Sequence, residues 1–199
     1  MPRLSHDARK TALVTAALAV ARRKGLGATT ARDVAAEMGT SSGLIHHYFD
    51  SMDDLLAVAF ASAAQSDLNN TREALLDLPG PLRRLQAYFK NYERIDGYWS
   101  MQLWLDAWAE AARRPPIGAI SKQLNMQWQQ ILEQIIAEGV STGAFRCADP
   151  DGAAWRLLST VDGLALQVVA HGDMVSSASA VAWSLRSAEL ELGLAPGSL

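Results

Sequence analysis

The amino-acid sequence predicts an all-α protein of about nine helices. Three observations support this fold class. Apolar residues recur at helical spacing through most of the chain. Serine, threonine and aspartate stand where helix N-caps are needed, and glycine or proline stands at the opposite ends. Runs that alternate apolar and polar residues with β-branched enrichment, as strands do, do not occur in the sequence.

Capping signals place the first two helices. Ser5 can cap the first helix, and Gly25 suits the left-handed position that ends it. Thr30 can cap the second helix, with Asp33 placed to complete a capping box. Gly39 ends this helix. The first forty residues therefore predict two helices joined by a short loop.

The same signals continue to the end of the chain. Pro79-Gly80-Pro81 and Pro115-Pro116 interrupt the helical pattern, and Asp149-Pro150 combines a cap with a proline at the first helical position. A very short third helix opens at Ser41 or Ser42. In order, the nine helices are expected over approximately residues 6–24, 31–38, 42–48, 52–76, 82–99, 101–113, 118–138, 150–172 and 177–192.

Composition narrows the class of protein. Hydrophobic residues make up 49% and charged residues 20% of the 199 residues, so the chain can bury a core. An apolar run long enough to span a membrane is not found, and the N-terminus lacks a signal-peptide core. Cys147 is the single cysteine and cannot form an internal disulfide. These features predict a cytoplasmic protein with no membrane partner.

Charge is unevenly distributed. Residues 1–49 carry seven Lys or Arg side chains against three acids, a net charge of +4, which leaves −7 for the rest of a chain whose total is −3. A basic end on an acidic body concentrates positive potential where phosphates could bind.

The segment Ala31–Phe49 has the features of a helix-turn-helix. Two steeply crossing helices need a small residue at their contact, which Ala35 supplies, and the turn needs a residue that tolerates positive φ, which Gly39 supplies. The small core between the helices would consist of Val34, Met38, Ile45 and Phe49.

The remaining surface of this segment suits DNA. Short side chains at the start of the third helix let its backbone approach base edges, while hydroxyl, imidazole and guanidinium groups can donate to bases or phosphates. A surface hairpin with merely solvated histidines is the alternative. The predicted DNA-binding residues are Thr30, Arg32, Ser42, Gly43, Leu44, His46, His47 and Tyr48.

The run Gly39–Phe49, GTSSGLIHHYF, resembles the helix-turn-helix of the TetR family of bacterial repressors. It is most similar to the BetI-like branch, typified by the choline-responsive regulator of betaine synthesis. The segments Trp104–Ala111 (WLDAWAEA) and Val161–Leu164 (VDGL) are similar to that branch as well. The resemblance implies base contacts from Ser42, Gly43 and Leu44, and phosphate contacts from Thr30, His46, His47 and Tyr48.

One position departs from the family pattern. Family members usually carry a lysine three residues past the phenylalanine, where it pairs with a phosphate, and this chain has Met52 there among the acids Asp50, Asp53 and Asp54. The departure predicts weaker or more salt-limited DNA binding, unless a basic group at the end of the first helix compensates. That group is Arg22, Arg23 and Lys24.

The larger C-terminal part contains all six tryptophans. Packing in the core is one interpretation, and a pocket for a small-molecule effector, as the family resemblance implies, is the other. The residues expected to line the pocket are Tyr92, Trp99, Trp104, Trp108 and Trp128. If Glu93, Asp96 or Asp106 turns inward, cation–π attraction would favour a cationic or quaternary-amine ligand.

The last two helices carry apolar stripes that predict a homodimer, in which four helices pack about a twofold axis. A palindromic operator also requires two recognition helices spaced by about one turn of DNA, ~34 Å. The predicted interface residues are Leu157, Val161, Leu164, Val168, Val181 and Leu185. We thus expect a DNA-binding domain over residues 1–51 and a ligand-sensing and dimerisation domain over residues 52–199.

Other function classes lack support in the sequence. The chain has no phosphate-binding loop, nucleophile elbow or paired-histidine zinc motif, so we expect no catalytic residue and no cofactor. His46 and His47 point about 100° apart on a helix, and His171 and Cys147 have no partner at ligand spacing, so we expect no metal. The alternative to a repressor is a helical ligand-binding or interaction protein of the same fold without specific operator binding.

Overall fold

The structure is a computed structural model that describes residues 5–94 and 99–199, the side chains of residues 93 and 94 excepted. Over these residues the α-helices are α1 (His6–Lys24), α2 (Ala31–Met38), α3 (Met52–Leu76), α4 (Gly80–Lys90), α5 (Trp99–Ala111), α6 (Pro115–Ser141), α7 (Pro150–Ala170) and α8 (Ser177–Glu191). Two 3-10 helices, Ser42–His47 and Asn91–Arg94, follow α2 and α4. The described residues form no strand, and the all-α prediction is confirmed.

Helix ends follow the capping signals in the sequence. Ser5 Oγ accepts the N–H of Ala8 at 3.2 Å and caps α1, which Gly25 ends at a φ of 84°. Asp149 caps α7 by accepting the N–H of Gly152 at 3.0 Å. Side-chain oxygens thus satisfy amides that have no partner within the helix itself.

Two predicted boundaries were wrong. The helix predicted over 82–99 ends at Lys90 and continues as a 3-10 helix, whose Asn91 donates its side-chain amide to Thr71 Oγ1 at 2.8 Å. The helix predicted to begin at Gly118 begins three residues earlier, at Pro115, although the helix before it does end ahead of the two prolines. Proline is tolerated in the first helical turn because amides there have no intrahelical partner.

Packing divides the chain into two compact units. The first consists of Met1–Ser66 and Gln102–Leu124, and the second of Asp67–Met101 and Asn125–Leu199. Helices α3, α5 and α6 therefore contribute residues to both units. Independent folding domains are a different property, so the division at residues 51 and 52 stays a prediction.

Each unit has an apolar core. In the first unit, α1, α2, the Ser42–His47 helix and the start of α3 bury Leu13, Val14, Ala16, Ala17, Val20, Val34, Ile45, Phe49, Leu55 and Ala59. In the second, the fully buried residues include Leu85, Tyr88, Phe89, Leu132, Ile136, Ala153, Ala154 and Ala188. None of the described helices has both the length and the apolar character that crossing a bilayer requires.

Candidate functional site

The start of α2 presents an ordered, exposed polar cap. Asp33 donates its backbone N–H to Thr30 Oγ1 at 3.3 Å, and Thr30 donates its own N–H to Asp33 Oδ2 at 3.2 Å. This reciprocal pair is the predicted capping box. Thr30 and Arg32 are exposed beside it, where helix amides and a guanidinium can face a phosphate together.

The turn after α2 requires glycine. Gly39 adopts a left-handed conformation, with φ 64° and ψ 38°, and its N–H donates to the carbonyl oxygens of Ala35 and Ala36. The N–H of Thr40 also donates to Ala35 O at 2.9 Å. Because other residues adopt positive φ at a cost, Gly39 permits the sharp change of direction that a helix-turn-helix needs.

The Ser42–His47 helix points its polar residues outward. Ile45 is fully buried and Phe49 is 6% exposed, so these two side chains anchor the segment in the first unit's core. Ser42, Gly43, His46 and His47 are exposed, while Leu44 and Tyr48 are half-buried. All eight side chains and backbone positions predicted to contact DNA are thus at least partly accessible.

Two cations at the end of α1 are engaged within the first unit. Arg23 forms an ion pair with Glu37, and Lys24 forms one with Asp33. Hydrogen bonds to Asp33, first from Lys24 and then from Thr30, hold the pKa of this carboxyl at about 2. These two cations therefore hold α1 against α2, which leaves less of their charge to compensate for a missing phosphate anchor.

The acids around Met52 also have structural partners. Met52 itself packs against the first unit's core. Asp54 donates its N–H to Ser51 Oγ at 3.1 Å and accepts the Ser51 hydroxyl at 2.6 Å, which caps α3. Asp53 accepts from Arg114 at 2.7 Å. The negative charge beside the recognition segment is thus partly neutralised by an arginine that sequence reasoning did not consider.

The residues predicted to line a pocket fall into both units. Trp104 and Trp108 lie in the first unit, with ring centroids 5.6 Å apart, and Trp104 stands edge-on to Phe60 with centroids 5.0 Å apart. Trp99 begins α5 in the second unit. Trp104, which is 7% exposed, is therefore packed as a core residue of the first unit.

Tyr92 and Trp128, also predicted for the pocket, both contact Tyr88 in the second unit. The Tyr88 ring centroid lies 6.2 Å from that of Tyr92 and 6.0 Å from that of Trp128. The Tyr88 hydroxyl and Trp128 Nε1 are buried without a well-formed hydrogen bond to any described residue, although the Tyr92 hydroxyl is close enough to lower the pKa of Tyr88. Buried polar atoms without partners are costly, and they mark places where a ligand or water can bind.

The charge of Asp162 acts on both Tyr88 and Tyr92, and we name these three residues together with Trp128 the Tyr88 group. Burial raises the pKa of Asp162 to about 7. Burial also raises the pKa of Tyr88 and of Tyr92, and the negative charge of Asp162 raises both further. No ion pair to Asp162 is found among the described side chains.

An apolar cleft adjoins this group through Tyr92. It encloses about 340 Å³, part of it open to solvent, between α5, α7, α8 and the Asn91–Arg94 helix. Its lining consists of Tyr92, Met101, Val161, Ala165, Val168, Val169, Ser177, Ala180 and Val181. The apolar lining is that of a small-molecule site, although the space that is actually enclosed holds little more than a water molecule.

The acid at this site differs from those considered in the sequence. Asp106 accepts hydrogen bonds from Leu26 and Gln102 in the first unit. Asp96 and the side chain of Glu93 lie outside the described residues. The signal that could have identified Asp162 is an acid that directly follows Val161 and lies one helical turn before Ala165 on the largely apolar α7.

Known proteins match both parts of the chain. Residues 13–59 match the bacterial regulatory proteins of the tetR family, and residues 83–193, more than half of the chain, match the C-terminal domain of BetI-type transcriptional repressors. The chain belongs to the TetR family, with a BetI-type C-terminal domain. Members of this family are transcriptional regulators, so the resemblance in the sequence is confirmed and the function is regulation of transcription, not catalysis.

Individual relatives are similar along most of the chain. The regulator BetI of Paraburkholderia xenovorans is 26% identical over 190 residues, covering 91% of this chain and 92% of that protein. The repressor KstR2 of Mycobacterium tuberculosis is 28% identical over 138 residues, covering 67% and 69%. Two solved structures share the TetR-family fold. One, from Pseudomonas aeruginosa, has a TM-score of 0.82 and 26% identity, covering 95% of this chain and 93% of that one. The other, from Saccharomonospora viridis in complex with choline, has a TM-score of 0.86 and 24% identity, covering 94% and 98%.

The predicted dimer residues of this TetR-family chain differ in their exposure. Leu157, Val161, Val168 and Val181 are at most 5% exposed inside one protomer, so they are not available to a second copy. Leu164 and Leu185 are half-buried. Four of the six residues therefore pack within the protomer, and the position of the interface stays a prediction.

Four large apolar side chains of α7 and α8 are exposed. Trp155 and Leu166 of α7 are 37% and 40% exposed, and Trp183 and Leu190 of α8 are 52% and 68% exposed. Spacings of eleven and seven residues keep each pair on one side of its helix. Arg156 and Glu191 pair across the two helices, with Nε to Oε1 at 3.1 Å.

Proposed function

We propose that this TetR-family chain acts as a homodimeric repressor that binds a palindromic DNA operator and releases it when a cationic small molecule binds. The observation that carries the proposal is that the Ser42–His47 helix exposes its polar residues, while Ile45 and Phe49 pack in the core of the first unit and hold the segment in place. Ser42 and Gly43 can approach bases, and His46 and His47 can donate to bases or phosphates.

Dimerisation follows from the chemistry of recognition. A helix of six residues offers few contacts, so specificity requires a second copy on the next turn of the groove. The face of Trp155, Leu166, Trp183 and Leu190 supports a twofold interface, since large exposed apolar side chains on a soluble surface favour association.

The Tyr88 group supports a cationic effector. A carboxylate desolvated among aromatic rings lacks a compensating charge, and a cation would supply it while interacting with the ring faces. The S. viridis structure was determined with choline, a quaternary amine. We propose a ligand of that chemical class for this chain, bound by Asp162, Tyr88, Tyr92 and Trp128.

A ligand-binding protein without specific operator binding is the second candidate. Two observations favour it: Met52 packs where the family usually has a lysine, and Arg23 and Lys24 are paired with acids of α2. Both reduce the cations that can neutralise phosphates, and phosphate contacts supply much of the affinity for DNA.

Operator binding can be tested with a duplex that the wild-type chain selects from a random-sequence library. Fluorescence anisotropy should show salt-sensitive binding that Gly43→Glu abolishes. A side chain at Gly43 meets no atom within 4 Å, so this substitution should act by repelling DNA and not by unfolding. Gln130→Glu, an equal change of charge on the exposed face of α6, should leave affinity unchanged. If selection yields no preferred duplex, the second candidate is correct.

The effector class can be tested by calorimetry with choline and with 3,3-dimethyl-1-butanol, its uncharged isostere. Choline should bind at least ten-fold more tightly than the isostere, and Asp162→Asn should remove this preference. Equal binding of the two compounds would refute recognition of the charge. Absence of heat with choline would refute this ligand class and leave the proposal of operator binding intact.

A further inference from the structure

The chain segment that joins α5 to α6 makes an unusual set of contacts within the first unit. Arg114 donates from Nε to Glu110 Oε2 at 2.9 Å, from Nη1 to Asp53 Oδ1 at 2.7 Å and from Nη2 to the carbonyl oxygen of Gly27 at 3.3 Å. One guanidinium thus connects the end of α5, the start of α3 and the loop between α1 and α2. The planar fork of arginine makes such directional bridging possible.

Asp106, one turn before Glu110 on α5, contacts the same loop between α1 and α2. Its Oδ2 accepts the backbone N–H of Leu26 at 2.8 Å, and its Oδ1 accepts from Gln102 at 3.0 Å. Leu26 is fully buried, so its amide has little access to water as an alternative partner. The bond is therefore specific to this placement of the loop on α5.

Two glycines allow the loop to approach α5 this closely. A Cβ at Gly25 would lie 3.1 Å from Asp106 Oδ2, and a Cβ at Gly27 would lie 2.7 Å from Glu110 Oε1. Glu110 cannot easily move aside, because Arg113 and Arg114 both hold its carboxylate. The loop is thus in direct contact with both acidic side chains of the WLDAWAEA segment.

We propose that Arg114, Asp106 and Glu110 form a clamp that sets the orientation of the DNA-reading head, residues 5–51, on α5. The inference rests on the proposed function, because orientation matters most when two heads must engage one operator together. Helix α5 contributes to both units, so the clamp would also carry a displacement of α5 to the recognition helix. The acids of the WLDAWAEA segment are therefore positioning residues and not ligand contacts.

The clamp predicts a loss confined to two-headed binding. A head that is intact but loosely oriented still binds one half-site. Binding both half-sites at once requires both heads to be oriented, and the lost conformational entropy lowers the affinity for the palindrome. The measurement is the ratio of affinities for the selected palindromic duplex and for the same duplex with one half-site scrambled. Arg114→Ala should lower this ratio at least ten-fold, while the unpaired charge that it leaves on Asp53 weakens binding to both duplexes alike and does not alter the ratio.

Four further variants sharpen the test. Arg113→Ala is the matched control, because Arg113 pairs with Glu110 but, among the described residues, makes no hydrogen bond to the loop. It should keep the wild-type ratio. Arg114→Lys keeps the charge but loses the fork and should resemble Arg114→Ala. Asp106→Asn keeps an oxygen that can accept from Leu26 and should largely retain the ratio, which Asp106→Ala should not.

The outcomes separate the possible explanations. A wild-type chain that selects no duplex would overturn the proposed function, while selection followed by an unchanged ratio in Arg114→Ala would overturn the clamp alone. An equal fall in palindrome and half-site affinity would mean that Arg114 only stabilises the head, which would also overturn the clamp. Hydrogen exchange provides a readout without DNA: the Leu26 amide should lose protection in Asp106→Ala, while amides inside α1 keep theirs.

Discussion

The ring of Tyr88 stands edge-on to that of Trp128, with centroids 6.0 Å apart, and the buried polar atom of each ring lacks a well-formed hydrogen bond to any described residue. Two unpaired donors in one place lower stability, since each has given up its bonds to water. Such a cost is typical of binding sites, where a ligand restores the missing interactions.

Removal of one of these donors should stabilise the free protein. We expect Tyr88→Phe to raise stability by about 1 kcal/mol, or roughly 2–4 °C in melting temperature for a chain of this size, and to weaken choline binding. Thermal denaturation and calorimetry would measure the two effects. Tyr48→Phe, at a half-buried tyrosine of the head, should not raise the melting temperature. A destabilised Tyr88→Phe would mean that the hydroxyl is well paired.

Asp162 should give stability a distinct pH dependence. Its pKa is raised from 3.8 to about 7 in the folded protein, so between these values the folded state holds a proton that the unfolded state has released. Stability therefore decreases as pH rises through this window and levels off above about pH 7. From pH 5.5 to 8 the wild type should lose up to about 2 kcal/mol from this group.

Asp162→Asn isolates that contribution, because the amide does not titrate. Melting temperatures at pH 5.5 and pH 8 should differ by a few degrees more in the wild type than in the variant. Choline should also bind the wild type more tightly at pH 8 than at pH 6, since the cation prefers the ionised carboxylate. Identical pH profiles for the two proteins would show that Asp162 is ionised throughout this range.

Met52→Lys should strengthen binding to the selected duplex. The long aliphatic part of lysine can keep packing against the core of the first unit while its ammonium reaches towards solvent. One added phosphate contact should increase affinity several-fold and steepen the plot of log affinity against log salt by about one. Val58→Lys, at a 41% exposed position further along α3, is the control and should change the slope less. Equal slopes for all three proteins would place residue 52 away from the phosphates.

Trp183→Glu should convert the proposed dimer into monomers. Trp183 is 52% exposed on α8, so the free chain tolerates a charge there, whereas an apolar interface between two copies would not. Sedimentation velocity would measure the mass, and anisotropy would show at least a ten-fold loss of affinity for the palindromic duplex. Leu76→Glu, at a 74% exposed residue ending α3, should leave both unchanged. A Trp183→Glu dimer would place the interface elsewhere.

The local parts of the site could be predicted well from the sequence. Their hydrogen bonds join atoms only a few residues apart, so spacing in the sequence alone determines the possible partners. This holds for the Thr30 capping box, the left-handed Gly39 and the Ser42–His47 segment. Which sides of α7 and α8 are buried within the protomer could not be predicted in this way. Small and apolar residues occur on several sides of both helices, and only packing decides which side is inward.

By itself, the sequence determined the helices, their caps and the outward-facing recognition segment, because these depend on hydrogen bonds and apolar contacts within about one or two turns. Tertiary structure alone decided that Asp106 accepts from Leu26, 80 residues away, that Arg114 binds Asp53, and that Asp162 is the acid beside Tyr88 and Tyr92. The physical reason is that a charged side chain has many possible partners in sequence. The packing of distant helices brings only one set of them within bonding distance.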